Sequence, residues 1–257
     1  MTDTSLPRAT FAESDFRAGR VFGRTFSVLS RNLLPFCIVT AIADLPNFVF
    51  FTLRQVGAGP VTIVAADPGA AAGKLALGIV MTLVLSALSQ AIVVYGAFED
   101  MRGRPVNLLE STKIGLRRVF PVVGVALATS FLAALAGIAL VIPAFIVFTM
   151  LAVAPPACVV ERLGPIKSLK RSARLTKGHR WKVFGLWLAT IGSGMIVQGV
   201  LVGVAVKIGG LPLGLLTQFL VGALWGAFYA ILVVVAYHDL RVAKEGVDTD
   251  QIAAVFD

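Results

Sequence analysis

Few residues of this chain have the types and spacing that carry out chemistry. Its two histidines, His179 and His238, stand far apart, and neither has a ligand-spaced partner. A metal site needs three or four His, Cys, Asp or Glu side chains converging on one ion, and the sequence offers no such cluster. The two cysteines, Cys37 and Cys158, both lie in apolar runs without CxxC spacing. They read as small buried hydrophobes, not as a disulfide or a metal pair. Patterns such as HExxH and GxSxG are missing. The expectation is a non-enzyme, with no catalytic residue, no cofactor and no metal.

Polar residues inside apolar runs are the next candidates. Asp44 lies near the middle of the first apolar run, close to Pro46 and Asn47. A charge at mid-bilayer costs about 2.5–3.5 kcal/mol on insertion scales. Asp44 therefore either serves an ion or proton path, or sits where the helix ends at Leu45-Pro46; the second is the simpler reading. Thr82, Ser86, Ser89 and Gln90 form a polar stripe in the second run. Such stripes commonly hydrogen-bond to neighbouring helices, and a substrate path is the alternative. Pro155-Pro156 should unwind a helix, and the freed backbone groups must then be paired by protein or water. A packed kink is the simpler reading there, and a cavity the other.

The third kind of chemistry is electrostatic. The stretch ERLGPIKSLKRSARLTKGHRWK, residues 161–182, holds eight of the chain's 23 Lys and Arg. Gly164-Pro165 breaks what precedes it, and a helix can run from Ile166 to about Lys177. Helical spacing groups Lys167, Lys170, Arg171 and Arg174 on one face, opposite Ile166, Leu169 and Ala173. A basic amphipathic helix of this kind can rest in a membrane interface and contact anionic head groups. A second such segment, from Ser14 or Asp15 to Asn32, sets Arg17, Arg20, Arg24 and Arg31 opposite Phe22, Phe26 and Leu29. Simple topological anchoring by these cations is the plainer reading.

The elements that position these groups follow from composition. Hydrophobic residues make up 57% of 257, charged residues 14%, and mean hydropathy is +0.87. Soluble domains carry about a quarter charged residues. Several apolar runs approach the roughly 20 residues that cross a bilayer. The fold class is therefore an all-α polytopic membrane protein with six transmembrane helices. The spans are expected at about 33–53, 75–98, two within 119–160, 183–206 and 213–237. A third basic amphipathic helix is expected near 107–118, where Asn107 and Glu110 resemble a capping box. Three short interfacial helices, each followed by a pair of spans, would make three helix-plus-hairpin units.

Lys and Arg divide 20 to 3 between the two sides of this arrangement. That bias puts both termini in the cytoplasm. It also explains the net charge of +9 without nucleic acid. Residues 1–13 are expected to form a disordered cytoplasmic N-terminus, 14–241 one six-span domain, and 242–257 a polar cytoplasmic tail. No apolar h-region with a cleavage site appears in the first twenty residues, so the first span is expected to target the chain. Residues 54–74 read as an outer loop. Gly185, Gly192, Gly199 and Gly203, then Gly222, Gly226 and Ala230, form small-residue faces on the last two spans. Such faces allow close helix packing within the chain, or a homodimer.

The segment AVAPPACVVERLGPIKSLKRSARLTKGHRWKVFG, residues 152–185, resembles a signature of bacterial integral-membrane proteins. They are related to the membrane domain fused to some glycerophosphodiester phosphodiesterases. Pro155, Glu161, Gly164, Ser172, Leu175 and Gly178 carry the likeness, and Tyr237, Asp239, Leu240 and Arg241 resemble the family's usual ending. The resemblance implies a six-helix module of the bacterial cytoplasmic (inner) membrane. It implies no hydrolase activity, because the catalytic barrel of the fusions has no counterpart here. It also draws attention to Glu161, Asp239 and Arg241, and either acid is expected to pair with Arg171 or Arg174. The function expected first is a non-enzymatic module that organises anionic lipids or scaffolds a partner at the cytoplasmic leaflet. The alternative is a small permease or exporter of an amphiphile or ion, using Asp44, Gln90 and the broken spans near Asp44 and Pro155-Pro156.

Overall fold

The computed structural model describes residues 16–57, 68–139 and 141–245. The expected N-terminal segment 1–13, residues 246–257 of the expected tail 242–257, and residues 58–67 of the expected outer loop lie outside these residues. Among the described residues the protein is all-helical. The helices are α1 (Ala18–Arg31), α2 (Leu33–Gly57), α3 (Pro68–Met101), α4 (Leu108–Ala139), α5 (Val141–Leu151), α6 (Ala154–Val160), α7 (Pro165–Thr176) and α8 (Arg180–Glu245). Three stretches are long and apolar enough to cross a membrane: Val80–Met101, Leu108–Leu132 and Arg180–Glu245. The pair α1 and α2, bent by 90° at their junction, makes a fourth if counted as one.

α8 is two arms rather than one rod. Gly210, at φ 68° and ψ −165°, departs from helical geometry, and Pro212 follows it. That backbone region is open to glycine and rarely to other residues. The arms 180–209 and 211–245 fold back on each other. A Cβ at Gly214 would lie 2.2 Å from Val206, and one at Gly194 would lie 2.4 Å from the Trp225 indole. Nearer the other end, the Trp187 and Tyr229 rings lie 4.7 Å apart. At 194 and 214 the side chains of the opposite arm occupy the space that a Cβ would take.

The second arm is the centre of the bundle. Every residue from Ala230 to Leu240 is buried. A helix buried on all sides needs neighbours all round, and α1, α2, α3, α5, α6 and α7 all pack against α8. Away from this centre the surface is apolar. Phe120 is 84% exposed, Ile208 77% and Met195 71%. Apolar surface on this scale marks contact with lipid or protein.

Four features differ from the sequence expectation. α2 continues through Pro46 and does not end at Leu45. In apolar surroundings the proline frees one carbonyl, whereas unwinding would free several backbone groups. The expected interfacial helix at 107–118 is continuous with the following span as α4, since no breaker separates them before Pro121. Asn107 does cap it, its side-chain oxygen accepting the Leu109 and Glu110 N–H groups at 3.1 and 3.3 Å. α3 begins at Pro68, which shortens the loop.

The fourth difference concerns α7. Its buried face is Ser168, Ser172, Leu175 and Thr176, while Ile166 is 69% exposed. The reason is the break between α5 and α6 just before Pro155-Pro156. The Ser172 hydroxyl donates to the freed Met150 carbonyl at 2.7 Å. Its oxygen also accepts the freed Val153 N–H at 3.3 Å. A buried polar group left unpaired costs about 1–3 kcal/mol, so one serine outweighs the modest gain from turning Ile166 inward. Ala154, Pro156, Ala157 and Cys158 fill the space around the break and are buried. The kink is packed.

A candidate interfacial platform and an intramembrane cavity

Two sites emerge, one at the charged end of the bundle and one within it. At the charged end, Glu161 follows the last turn of α6, and Gly164-Pro165 then starts α7. One turn and a half into α7, Arg171 Nε donates to both Glu161 oxygens, at 2.8 and 3.0 Å. Its two terminal nitrogens reach both carboxylate oxygens of Glu245, at 2.5 and 3.0 Å. Tyr237 donates its hydroxyl to Glu161 at 2.5 Å. Arg241 joins through Glu245 at 3.1 Å. The cluster ties α6, α7 and the end of α8 together, and the Arg171 and Glu161 side chains are only 15% and 16% exposed. Hydrogen bonding to Glu245 first, and to Glu161 next, holds the Arg171 guanidinium proton more tightly than usual.

Asp239 takes a different partner. Arg24 of α1 reaches it at 2.9 Å, and its side chain is 5% exposed. The sequence had set Asp239 against α7; the right-angled turn after α1 brings Arg24 there instead. Arg31 and Asn32 both donate to Asp100, each at 2.7 Å. These pairs anchor α1 across the ends of α3 and α8.

The remaining basic residues face outward. Lys167, Lys170 and Arg174 on α7, and Arg17 and Arg20 at the start of α1, are exposed. Thus the expected head-group set divides. Arg171 is committed to the protein, Arg24 is paired but half exposed, and five cations remain open. Phe26, 67% exposed, sits on α1 away from both the core and the arginines, whereas Val21, Thr25, Val28 and Leu29 are buried.

The polar residues of the apolar runs are gathered too. A cavity of about 280 Å³ is lined by Asp44, Gln90, Thr40, Thr82, Ser86 and Ser89, with Tyr229 and Gly222 from α8. A second, about 200 Å³, shares Asp44 and Gly222 and adds Asn47, Gln198 and Gln218. Asp44 is therefore common to both. Asn47 donates to it at 3.4 Å and accepts from Thr82 at 3.3 Å. Thr40 donates to the Ala223 carbonyl at 2.8 Å, which ties α2 to α8. Gly222 and Gly226 face α2 within the chain, while nothing lies within 4 Å of a Cβ at Gly185, Gly192, Gly199 or Gly203. Gln198 and Gln218 went unnoticed in the sequence, although an amide in an apolar run is a detectable signal. Among the described residues no three His, Cys, Asp or Glu side chains gather to hold a metal.

The clamp at Glu161 gives the first prediction. Breaking one partner of a buried pair strands the other, at roughly 3–5 kcal/mol. Glu161→Gln is expected to lower the unfolding free energy in mixed micelles by about 2–4 kcal/mol, whereas Lys170→Gln leaves it unchanged. Equal stability of the two variants would contradict the clamp.

Residues 106–240, just over half of the chain, match the family described as a domain of unknown function, DUF7847. The match contains the break, α7, Glu161, Arg171, Tyr237 and Asp239; Asp44 and Arg24 lie before it. No curated protein and no solved structure matches the chain. The chain belongs to the DUF7847 family.

Proposed function

We propose that this chain is a non-enzymatic module of the cytoplasmic (inner) membrane that organises anionic lipid at the inner leaflet. In this reading it crosses six times, through α2, α3, α4, α5 with α6, and the two arms of α8. Both termini are cytoplasmic. The 20-to-3 division of Lys and Arg supports that orientation. Kinship with the membrane domain of the phosphodiesterase fusions is part of the same reading and rests on the motif residues around Glu161 and Asp239.

The observation that carries the proposal is the sorting of charge on α7. Arg171 and Ser172 pin the helix from beneath, so Lys167, Lys170 and Arg174 project from a fixed support. α1, at 90° to α2, adds Arg17 and Arg20 on one face and the exposed Phe26 on another. Each cation near an anionic surface contributes about 1 kcal/mol, and a rigid support lowers the entropy lost on binding. Native mass spectrometry of protein extracted with its own lipids tests this. The wild type is expected to retain anionic lipid, and the Lys167→Ala, Lys170→Ala, Arg174→Ala triple variant to lose it with unchanged thermal stability. Identical lipid retention would reject the platform.

The cavities at Asp44 favour a second reading, a small permease or exporter of an amphiphile or ion. An ionisable side chain inside a membrane domain, lined by hydroxyls and amides, is a functional candidate by default. The Pro155-Pro156 break has no part in this reading, because it is packed. Efflux of an amphiphilic cationic dye from proteoliposomes is expected to fall in Asp44→Asn; equal efflux by wild type and variant would end the permease reading.

A further inference from the structure

A third feature of the charged end belongs to neither reading. A cleft of about 770 Å³ opens between α1, the α3–α4 connection and the end of α8. Its volume falls in the range of small-ligand sites, about 300–1,000 Å³. Arg24 and Arg31 enter it from α1, Arg104 from the connection after Gly103, and His238 from α8. We propose that this cleft binds the phosphate group of a phosphorylated small molecule or lipid head group.

The arrangement of the arginines carries the argument. Each is paired with one carboxylate: Arg24 with Asp239 at 2.9 Å, Arg31 with Asp100 at 2.7 Å, and Arg104 with Glu99 at 3.6 Å. The carboxylate side chains are 5%, 13% and 14% exposed, and the arginines 50%, 57% and 54%. The acids are mostly buried and the bases are half exposed. A guanidinium has five donors in a rigid fork, and one ion pair leaves most of them free. Three forks from different directions suit the three terminal oxygens of a phosphate better than the two of a carboxylate.

His238 stands on the wall of the cleft. Its side chain is 10% exposed, and its Nδ1 is turned to Asp239 Oδ1 at 3.5 Å. Occupancy of the cleft by an anion therefore changes the surroundings of this ring, which makes it a reporter of binding. Asp100 also borders the cleft, but Arg31 and Asn32 occupy its two oxygens. None of these residues is Lys167, Lys170 or Arg174, so this site and the lipid platform stand or fall separately.

The chain's two histidines make the test direct. Full-length protein carrying ¹³C at histidine Cε1 is placed in phosphatidylcholine nanodiscs, and His179→Gln assigns the two resonances. Glycerol 3-phosphate is added from solution in one arm, and phosphatidic acid is built into the disc in the other. The His238 resonance is expected to shift while that of His179 stays, and the shift is expected to be lost in Arg31→Gln with Arg104→Gln. Response to glycerol 3-phosphate assigns a soluble source, and response to phosphatidic acid alone assigns a lipid. Absence of a His238 shift in both arms of the wild type, or a shift that survives loss of both arginines, would overturn the proposal.

Discussion

One hydroxyl settles how the charged half of this protein is put together. Where α5 stops short of Pro155-Pro156, the Met150 carbonyl and the Val153 N–H lose their helical partners. Apolar surroundings offer them no water, and each unpaired group costs energy comparable to a large fraction of a domain's net stability. Ser172 Oγ answers both, donating at 2.7 Å and accepting at 3.3 Å. Thr176 supports it by donating to the Ser172 carbonyl at 3.0 Å. The face of α7 that carries Ser168, Ser172 and Thr176 therefore turns inward, and the rotation of α7 is set.

The charge pattern follows from that rotation. Arg171, next to Ser172, comes to lie between Glu161 and Glu245. Lys167, Lys170 and Arg174 are left on the outer side. α1 is fixed by comparable logic from the other flank, with Arg24 on Asp239 and Arg31 on Asp100. Both helices lean on the buried end of α8, whose residues 230–240 make the common core. Buried acids thus hold selected arginines while other cations remain open. A lipid-binding surface and a phosphate cleft both require that separation, because mobile cations would pair with any nearby acid.

What was legible in the sequence was what depends on local pattern and length. The apolar runs gave the all-helical class, the turn between the last two apolar runs, and the Asn107 cap. Glu161 and Arg171 were named among the charges expected to pair. What was not legible depended on tertiary partners. Ile166 outranks Ser172 by hydrophobicity, and nothing local says that Ser172 has two freed backbone groups to satisfy. Pro46 signals a break by propensity, but an apolar environment favours keeping the helix. Arg24 could meet Asp239 only through the right-angled turn after α1, which spacing does not encode. The polar stripe of α3 was visible, whereas its convergence with Asp44, and that of Gln198 and Gln218 with Asp44 in the second cavity, required the packing of α2 and α3 against α8.

Within the apolar part, Asp44 is the ionisable group that the two cavities share, so the bundle keeps a polar interior apart from its charged end. Both functional readings require α7 and the tip of the α8 hairpin to lie on opposite sides of the membrane. The most direct test is single-cysteine labelling in intact cells, with Cys37→Ser and Cys158→Ser as background. Lys170→Cys is expected to react with an impermeant maleimide only after permeabilisation, and Lys207→Cys without it. Labelling of Lys170→Cys from outside would contradict the account at its base.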